Sequence, residues 1–494
     1  MDRTMEELRG DIDRIDGQLV ELLKARMEAS EQMGSWKRHN GRAVLAPDRE
    51  RRLLDRVGGL SGPWQEPVEA VYREILRQSR GIQKSMGCGV YGLIGEHLQH
   101  SFSPRLHGLL GNRSYGLFEL QPEELEAFLT RGAFDGLNVT IPYKKAVIPY
   151  CSRLTDQARR IGSVNTIVRQ PDGTLLGHNT DYDGFLHLLR ISGIEAAGKK
   201  VLVLGSGGAS LTVQTVLEDL GAGEIVVISR SGPDHYGNLD RHRDAAILVN
   251  ATPVGMYPHN GEGLVDLDRL PKLEYIFDLI YNPAKTRLLL DGERRGIPGA
   301  GGLAMLAAQA KAAAELFWER ALPEELTDRV TRQLEWDTQN LILVGMPGCG
   351  KSSLGRMLAK KLDRPFVDLD ENVAARAGMS IPELFQKQGE EIFRRLEHEA
   401  LCEATALPGQ VIATGGGVVT RPENMDPLRQ NGRVIYLCRP VEELPRTGRP
   451  LSAAGDLNEM LTVRGPLYDK ASDLTVDNVG IEETAEEIIR RLEP

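Results

Sequence analysis

The chain has 494 residues, 41% of them hydrophobic and 26% charged, and a formal net charge of −10. That length predicts about three domains of roughly 150 residues each, and the acidic balance argues against nucleic acid as the main partner. Five separated cysteines without a CxxC pair, the lack of any apolar run near the ~18 residues of a bilayer span and a polar, acidic N-terminus argue against a disulfide framework, a zinc site, a membrane segment and a secretory signal, and predict a cytoplasmic protein.

Residues 4–39 carry Leu8, Ile12, Ile15, Leu19, Leu22 and Leu23 at helical spacing, which predicts a helix about 50 Å long at 1.5 Å per residue. Pro47-Asp48-Arg49-Glu50 reads as a second helix start, with Leu53, Leu54 and Val57 following. Gly58–Pro67 reads as a breaker, and Val68, Val71, Tyr72, Ile75, Leu76, Ser79 and Ile82 fit a third helix. Three such helices bury little alone and predict a second copy as partner. Gly81–Gly89 reads as a linker. From Val90 onward apolar runs alternate with helical patterns, which is α/β behaviour. Lys200–Leu204 and Glu224–Ile228 read as strands flanking a helix over Leu211–Leu220. Residues 320–338 are helical and charged and predict a boundary. Strands recur at Leu341–Val344, Pro365–Leu369, Val411–Ala413 and Val434–Leu437.

In the first segment Arg9, Arg26, Lys37 and Arg49 would ordinarily be solvated charges on long helices, and the segment could be only a dimerising or ligand-sensing module. Arg26, however, continues the apolar stripe four residues after Leu22, where a cation needs an anionic partner. Residues 4–84 resemble the all-helical chorismate mutases at Arg9, Arg26, Lys37, Arg49, Glu50, Ser79 and Gln83. The resemblance implies two interlocked chains, with Arg9 reaching the partner chain's site and arginines clamping chorismate in its reactive shape. Lys37 and Gln83 would stabilise charge on the breaking ether oxygen. Ala46 stands where that family usually has an acid facing the substrate hydroxyl. Losing a charged hydrogen bond costs ~1.5–3 kcal/mol, which predicts a weaker mutase.

In the second segment, Gly205-Ser206-Gly207-Gly208-Ala209 between strand and helix fits a dinucleotide turn, with a helix N-terminus facing a pyrophosphate. Arg230, after the next strand, suggests a 2′-phosphate and hence NADPH. Ser101-Phe102-Ser103-Pro104, the run Asn138–Lys144, Ser163–Thr166 and Asn179–Asp181 are polar clusters at predicted strand ends. Singly each reads as turn chemistry; together they describe a pocket for a polyhydroxylated acid. Residues 88–325 resemble shikimate dehydrogenase, with a substrate part at about 88–190 and 300–325 and a nucleotide part at about 195–300. The resemblance implies a catalytic pair, Lys144 and Asp181, and a carboxylate site at Ser101 and Ser103. Thr140, Asn165, Thr180, Tyr281 and Gln309 would complete the substrate shell, and Asn250–Met256 and Gly302 would line the nicotinamide side. Serines at 101 and 103 favour shikimate over quinate. The short stretch from Arg230 to Asn250 predicts an abbreviated adenine end.

In the third segment, Gly345-x-x-x-x-Gly350-Lys351-Ser352 follows a strand and precedes a helix, the context of a phosphate-binding loop. Gly345, Gly348 and Gly350 let amides face phosphate, Lys351 brings charge, and Ser352, followed by Ser353, can ligate Mg2+. Asp368-Leu369-Asp370, Gly415-Gly416-Gly417, Phe393-Arg394-Arg395, Arg449-Pro450-Leu451 and Arg464-x-x-Leu467-Tyr468 lie downstream. Residues 338–494 resemble shikimate kinase. The resemblance implies that Asp370 holds the acceptor hydroxyls, Arg394 and Arg464 bind the carboxylate beside Gly416 and Gly417, Asp368 acts on Mg2+ through water, and Arg449 lies on a lid, here short (Glu442–Leu451). Another small-molecule kinase, such as a gluconate kinase, is the rival.

The expected fold is therefore multidomain: an all-α mutase domain (1–84), an α/β dehydrogenase with a Rossmann-like nucleotide part (88–325) and an α/β P-loop kinase domain (338–494). The expected ligands are 3-dehydroshikimate, shikimate and chorismate with NADPH/NADP, ATP and Mg2+, and the expected assembly is a homodimer through the N-terminal helices. The alternative is a bifunctional dehydrogenase and kinase whose first helices only dimerise or sense a ligand.

Overall fold

The computed structural model describes residues 3–40, 44, 46–85, 88–99, 101–112, 115–132, 134–444 and 457–493. The chain forms two compact units. One comprises Met1–His187, Leu211–Val216 and Met305–Val330; the other comprises Leu188–Ser210, Leu217–Ala304 and Thr331–Pro494.

The first unit begins with helices Met5–His39, Pro47–Leu60 and Gln65–Ser85, the third packing against both others. The breaker is narrower than the expected Gly58–Pro67. Gly58 and Gly59 stay in the second helix, a short 3-10 turn spans Gly62–Trp64, and Pro67 falls in the first turn of the third helix. There its missing N–H would have had no intrahelical acceptor anyway. On the first helix Met5, Leu8, Ile12, Ile15, Leu19 and Leu22 are all exposed, Leu22 at 69%. The expected linker Gly81–Gly89 is largely structured: the helix runs through Gly81 to Ser85, and Cys88 is buried with its Sγ donating to Gly34 O at 3.0 Å.

A six-stranded sheet follows, built from β1 (Tyr91–Gly95), β2 (Tyr115–Glu119), β3 (Gly136–Val139), β4 (Arg153–Leu154), β5 (Thr166–Arg169) and β6 (Leu175–His178), in the order β2-β1-β3-β5-β6-β4. β1 is parallel to β2 and β3, while β5 runs antiparallel to β3 and β6. The C-terminal ends of β1, β3 and β6 and the N-terminal end of β5 thus share one edge. Ile94, Leu137, Val139, Val147 and Ile167 form part of the core beneath it.

The second unit holds two parallel sheets. β7 (Lys200–Leu204), β8 (Glu224–Ile228), β9 (Ile247–Asn250), β10 (Tyr275–Asp278) and β11 (Gly299–Ala300) lie in the order β11-β10-β9-β7-β8. Between β8 and β9 the chain makes only a 3-10 stretch, Tyr236–His242, so the region expected to be abbreviated is short of a full crossover helix. The other sheet comprises β12 (Asn340–Val344), β13 (Phe366–Asp368), β14 (Val411–Ala413), β15 (Gly432–Cys438) and β16 (Leu474–Asp477), in the order β13-β14-β12-β15-β16. The strand order reverses beside β12, the position where open α/β sheets bind ligands beyond their C-terminal ends. β12 and β14 are buried throughout, as expected of strands covered on both faces. Among the described residues, no helix is long and apolar enough to cross a membrane.

Candidate active sites

The shared edge of the six-stranded sheet collects the polar clusters of the second segment. Lys144 Nζ donates to Asp181 Oδ2 at 2.6 Å. Asp181 opens a helix, Asp181–Ser192, directly after β6. Its other oxygen accepts from Asn165 Nδ2 at 2.8 Å, and Asn165 Oδ1 accepts from Thr180 N at 2.7 Å. Asn165, Thr180 and Asp181 are buried, while Lys144 keeps 21% of its side chain exposed. The pair is therefore fixed from behind and open in front, which suits a proton donor that must reach a substrate. Thr140 N donates to Ile94 O at the end of β3. Ser101 and Ser103 follow β1, and Ser103 N donates to Ser101 Oγ at 3.2 Å. Gln309 lies on the helix Leu303–Trp318 close to Gly184 of the Asp181 helix. The structure thus bonds Lys144, Asp181, Asn165 and Thr180 into one cluster, with Thr140 directly after β3 and Ser101 and Ser103 in the segment that follows β1.

In the second unit, the turn after β7 has Gly205 at φ 98°, and a Cβ there would come within 2.8 Å of Thr252 Cγ2. Only glycine fits this left-handed close approach. Gly207 is open, and Gly208 and Ala209 begin the helix Gly208–Asp219, so its amides can receive a pyrophosphate. Arg230 is exposed just past β8. These residues fit a dinucleotide. At the ends of β9 and β10 lies a buried polar network: Asp278 accepts from Asn250 Nδ2 (3.0 Å), Ile280 N (3.1 Å) and Thr286 Oγ1 (2.6 Å), and Asn250 Oδ1 accepts from Thr252 Oγ1 (2.7 Å). Burial pushes the Asp278 carboxyl up to about 6, against the pull of these donors. The network holds the loop that carries Tyr281, whose hydroxyl is pushed up by burial. Gly302 N donates to Ile280 O at 2.9 Å.

The phosphate-loop residues lie at the switch point of the third sheet. Gly345, Gly348 and Gly350 have φ of 144°, 90° and 106°. Lys351 is buried, with Nζ donating to Gly345 O (2.8 Å) and Met346 O (3.0 Å). Ser352 and Ser353 follow in the first turn of the helix Lys351–Leu362. This loop of turned amides, lysine and hydroxyl fits a nucleotide triphosphate with Mg2+. Asp368 is buried at the end of β13 and accepts from Asp370 N at 3.1 Å, whereas Asp370 is exposed. Arg464 Nη1 donates to Gly416 O at 3.1 Å, and Tyr468 bonds the same carbonyl. A Cβ on Gly417 would lie 2.3 Å from the Arg394 guanidinium, and one on Gly415 would lie 3.0 Å from Asp370 Oδ1. Arg394, Arg464, Asp370 and the three glycines therefore converge. Arg394 is held by Glu397 (2.6 Å) and Glu390 (3.1 Å). Burial raises the Glu397 carboxyl, and Arg394 opposes that. Arg449 lies outside the described residues, as does most of the expected lid.

Among the first helices, Arg26 Nη1 donates to Ser79 Oγ at 2.7 Å, and Lys37 Nζ to Val44 O at 2.5 Å. Burial lowers Lys37, and the Arg49 charge adds to this, while Asp135 and Glu50 act against it. Gln83 is buried, with its Oε1 unpartnered among the described residues. Arg9 is exposed. Glu50 is engaged by Arg80 Nη1 at 2.7 Å, and Arg80 also faces Glu319 at 3.5 Å. Burial raises the Glu50 carboxyl, and Arg80 lowers it. Ala46 caps the second helix without any side-chain bond.

Similarity to known proteins agrees with this geometry. A Clostridium beijerinckii shikimate dehydrogenase (NADP(+)) is 37% identical over 256 residues, covering 48% of this chain and 94% of that protein. The Methanopyrus kandleri shikimate dehydrogenase (NADP(+)) is 40% identical over 270 residues, covering 48% and 92%. The chain belongs to the shikimate dehydrogenase family.

Three family matches follow one another along this shikimate dehydrogenase chain: chorismate mutase type II at residues 8–84, shikimate dehydrogenase substrate binding domain at 93–167 and shikimate kinase at 347–493. The chain is thus a three-part fusion, a multifunctional enzyme of the shikimate pathway. A crystallised chorismate mutase/shikimate 5-dehydrogenase fusion from Clostridium acetobutylicum is 35% identical, covers 50% of this chain and 97% of its own, and superposes with a TM-score of 0.47. Sequence reasoning missed Asp278, Arg80 and Glu397. Each is a buried charge whose partners lie on other elements or one turn away, and none sits in a spaced motif. An acid at the end of a β-strand run, as in Phe277-Asp278, was the one available signal.

Proposed function

We propose that the chain reduces 3-dehydroshikimate to shikimate with NADPH, phosphorylates shikimate with MgATP and rearranges chorismate to prephenate. The observation that carries the reading is the 2.6 Å Lys144–Asp181 pair, backed by Asn165 and Thr180 on the edge where β1 and β3, the strands before Ser101, Ser103 and Thr140, also end. NADPH supplies the hydride; Lys144 stabilises the growing alkoxide and delivers the proton, and Asp181 keeps Lys144 oriented and binds a ring hydroxyl. Ser101 and Ser103 take the carboxylate, with Tyr281 and Gln309 in the shell. Gly205, Gly207, Gly208, Ala209, Arg230 and Gly302 serve the dinucleotide.

In the kinase part, ATP supplies the phosphoryl group. Gly345, Gly348, Gly350, Lys351, Ser352 and Ser353 hold the phosphates, with Ser352 and Asp368 on the Mg2+ side. Arg394 and Arg464, beside Gly416 and Gly417, bind the carboxylate, and Asp370 positions the attacking hydroxyl. In the mutase part, Arg26, Arg49, Glu50 and Ser79 bind chorismate, and Lys37 and Gln83 face its ether oxygen. We assign these activities to residues 1–84, 88–325 and 338–494. The exposed stripe Met5, Leu8, Ile12, Ile15, Leu19 and Leu22 supports a homodimer through the first helix, to which Arg9 contributes across the interface. The cytoplasm is the assigned compartment.

The test is three assays on the purified chain: shikimate-dependent NADP+ reduction, shikimate-dependent ADP formation and chorismate consumption. All three are expected. Absence of chorismate turnover alone would leave a bifunctional enzyme, and a monomer by light scattering at micromolar concentration would remove the dimer.

A further inference from the structure

The loop from Tyr281 to Lys285 leaves β10 in the nucleotide part, yet part of its backbone is satisfied by the kinase part of the same compact unit. Ala284 N donates to Asn431 Oδ1 at 2.8 Å, and Lys285 N donates to Gln430 O at 2.8 Å. Asn431 Nδ2 faces Asn282 Oδ1 at 3.4 Å and Thr405 O at 3.3 Å. The backbone O of Asn431 accepts from Asn340 N, the first residue of β12. Asn282, Gln430 and Asn431 are all buried. Around this polar centre Asp426 pairs with Arg287 and Arg294. A buried amide that spans two segments and meets backbone on both sides fixes register, since displacing it leaves several groups unpaired.

We propose that the kinase part completes the dehydrogenase, with Asn431 as a positioning residue for the loop that presents Tyr281. On the nucleotide side the loop is held by Tyr257 N to Asn282 O (3.0 Å) and by the Asp278 and Gly302 bonds to Ile280. Asn431 and Gln430 hold its other end. With both ends fixed, Tyr281 enters substrate binding without an ordering cost. The inference rests on the assignment of Tyr281 to the shikimate shell.

The experiment compares the intact chain with Asn431→Ala and Asn431→Asp, measuring NADP+ reduction against shikimate without ATP, and kinase turnover in parallel. Asn431→Ala removes the acceptor of Ala284 N. The KM for shikimate should rise about fivefold, the effect of one ordinary hydrogen bond, with kcat changed by less than about twofold. Asn431→Asp keeps an acceptor for Ala284 N, and burial against Thr405 O and Asn282 Oδ1 keeps its carboxyl protonated so that its O–H replaces one amide donor, so it should recover part of that loss. A merely structural role would lower the active fraction, reducing apparent kcat at constant KM, and would overturn the proposal. So would an unchanged KM in both variants. Should Asn431→Ala lose kinase turnover as well, the KM of Asn431→Asp decides: a value raised less than about fivefold but above the parent supports the proposal, and the parental value refutes it. An intact parent chain that fails to oxidise shikimate would sink the functional reading itself, a result separate from these.

Discussion

Asp278 offers the sharpest quantitative test of burial against hydrogen bonding in this chain. It is fully buried, and burial raises its carboxyl from 3.8 to about 6. A folded-state value above the unfolded one means that the group's contribution is fully present below about pH 4 and is lost as pH rises through 6. The ionised side chain therefore costs the folded chain about 3 kcal/mol at pH 7.5, and about 1.5 kcal/mol at pH 5. An asparagine side chain has nearly the same shape as the aspartate. Its oxygen can keep the bonds from Asn250 Nδ2 and Ile280 N, and its amide can donate to the Thr286 hydroxyl, which accepts as readily as it donates. Asp278→Asn should thus stabilise the second unit, and more at pH 7.5 than at pH 5. At roughly 2–4 °C per kcal/mol, the melting midpoint should rise by roughly 6–12 °C at pH 7.5 and by about half that at pH 5. Scanning calorimetry of the two chains at both pH values reads this directly. A variant that melts at or below the parent temperature at pH 7.5 would show that the three donors outweigh burial and that the carboxylate is the favoured form.

Three further outcomes are expected. Asp181→Asn should lower kcat/KM for shikimate oxidation about 10²–10⁴-fold, the range for general acid–base catalysis lost when Lys144, the proton-transfer group, loses the carboxylate that orients it, while kinase turnover stays at the parental level. Lys351→Ala should cost the kinase at least about 10²-fold in kcat through lost charge on the phosphates and leave NADP+ reduction intact; a kinase at parental rate would place nucleotide binding elsewhere. Ala46→Asp should raise chorismate kcat/KM by roughly tenfold or more, the value of one charge-assisted hydrogen bond, followed by loss of chorismate absorbance; a drop instead would mean that Arg80 and Glu50 already set the charge balance of that pocket.

The parts legible in the sequence were those carried by local spacing. The strand–turn–helix around Gly205 and around Gly345–Ser352 could be read because a strand, glycines at fixed offsets and a helix start coincide within about fifteen residues. Lys144 and Asp181 could be paired through the family resemblance, and the sheet topology explains the pairing: β3 and β6 end on the same edge. The boundaries went wrong where a strong local breaker met tertiary support. Gly58, Gly59 and Pro67 all sit within helices, because the third helix packs on both others. β16 escaped notice because four alternating residues between helices carry little periodic signal. Arg80 carries no signal of its own in the sequence, since its partners Glu50 and Glu319 come from a different helix and from the end of the helix Leu303–Trp318.

The junctions between the parts share a physical character that a tether would not have. Asp135, just before β3, accepts from Val44 N at 3.2 Å and from Val90 N at 2.9 Å, so one buried carboxylate joins Val44, between the first two helices in sequence, to the entry of β1. Arg80, 9% exposed at its side chain, spans Glu50 of the second helix and Glu319. Asn431 does the equivalent between the nucleotide and kinase sheets. Flexible linkers leave their backbone to water. Here the joining segments spend buried polar groups on each other, and a buried polar group left alone costs about 1–3 kcal/mol. Such contacts select one arrangement over its neighbours more than they add net stability. The residues at the joints therefore belong with the sites they border: Asp135 beside the strand that leads to Lys144, Arg80 against Glu50 of the proposed mutase site, and Asn431 under the loop of Tyr281.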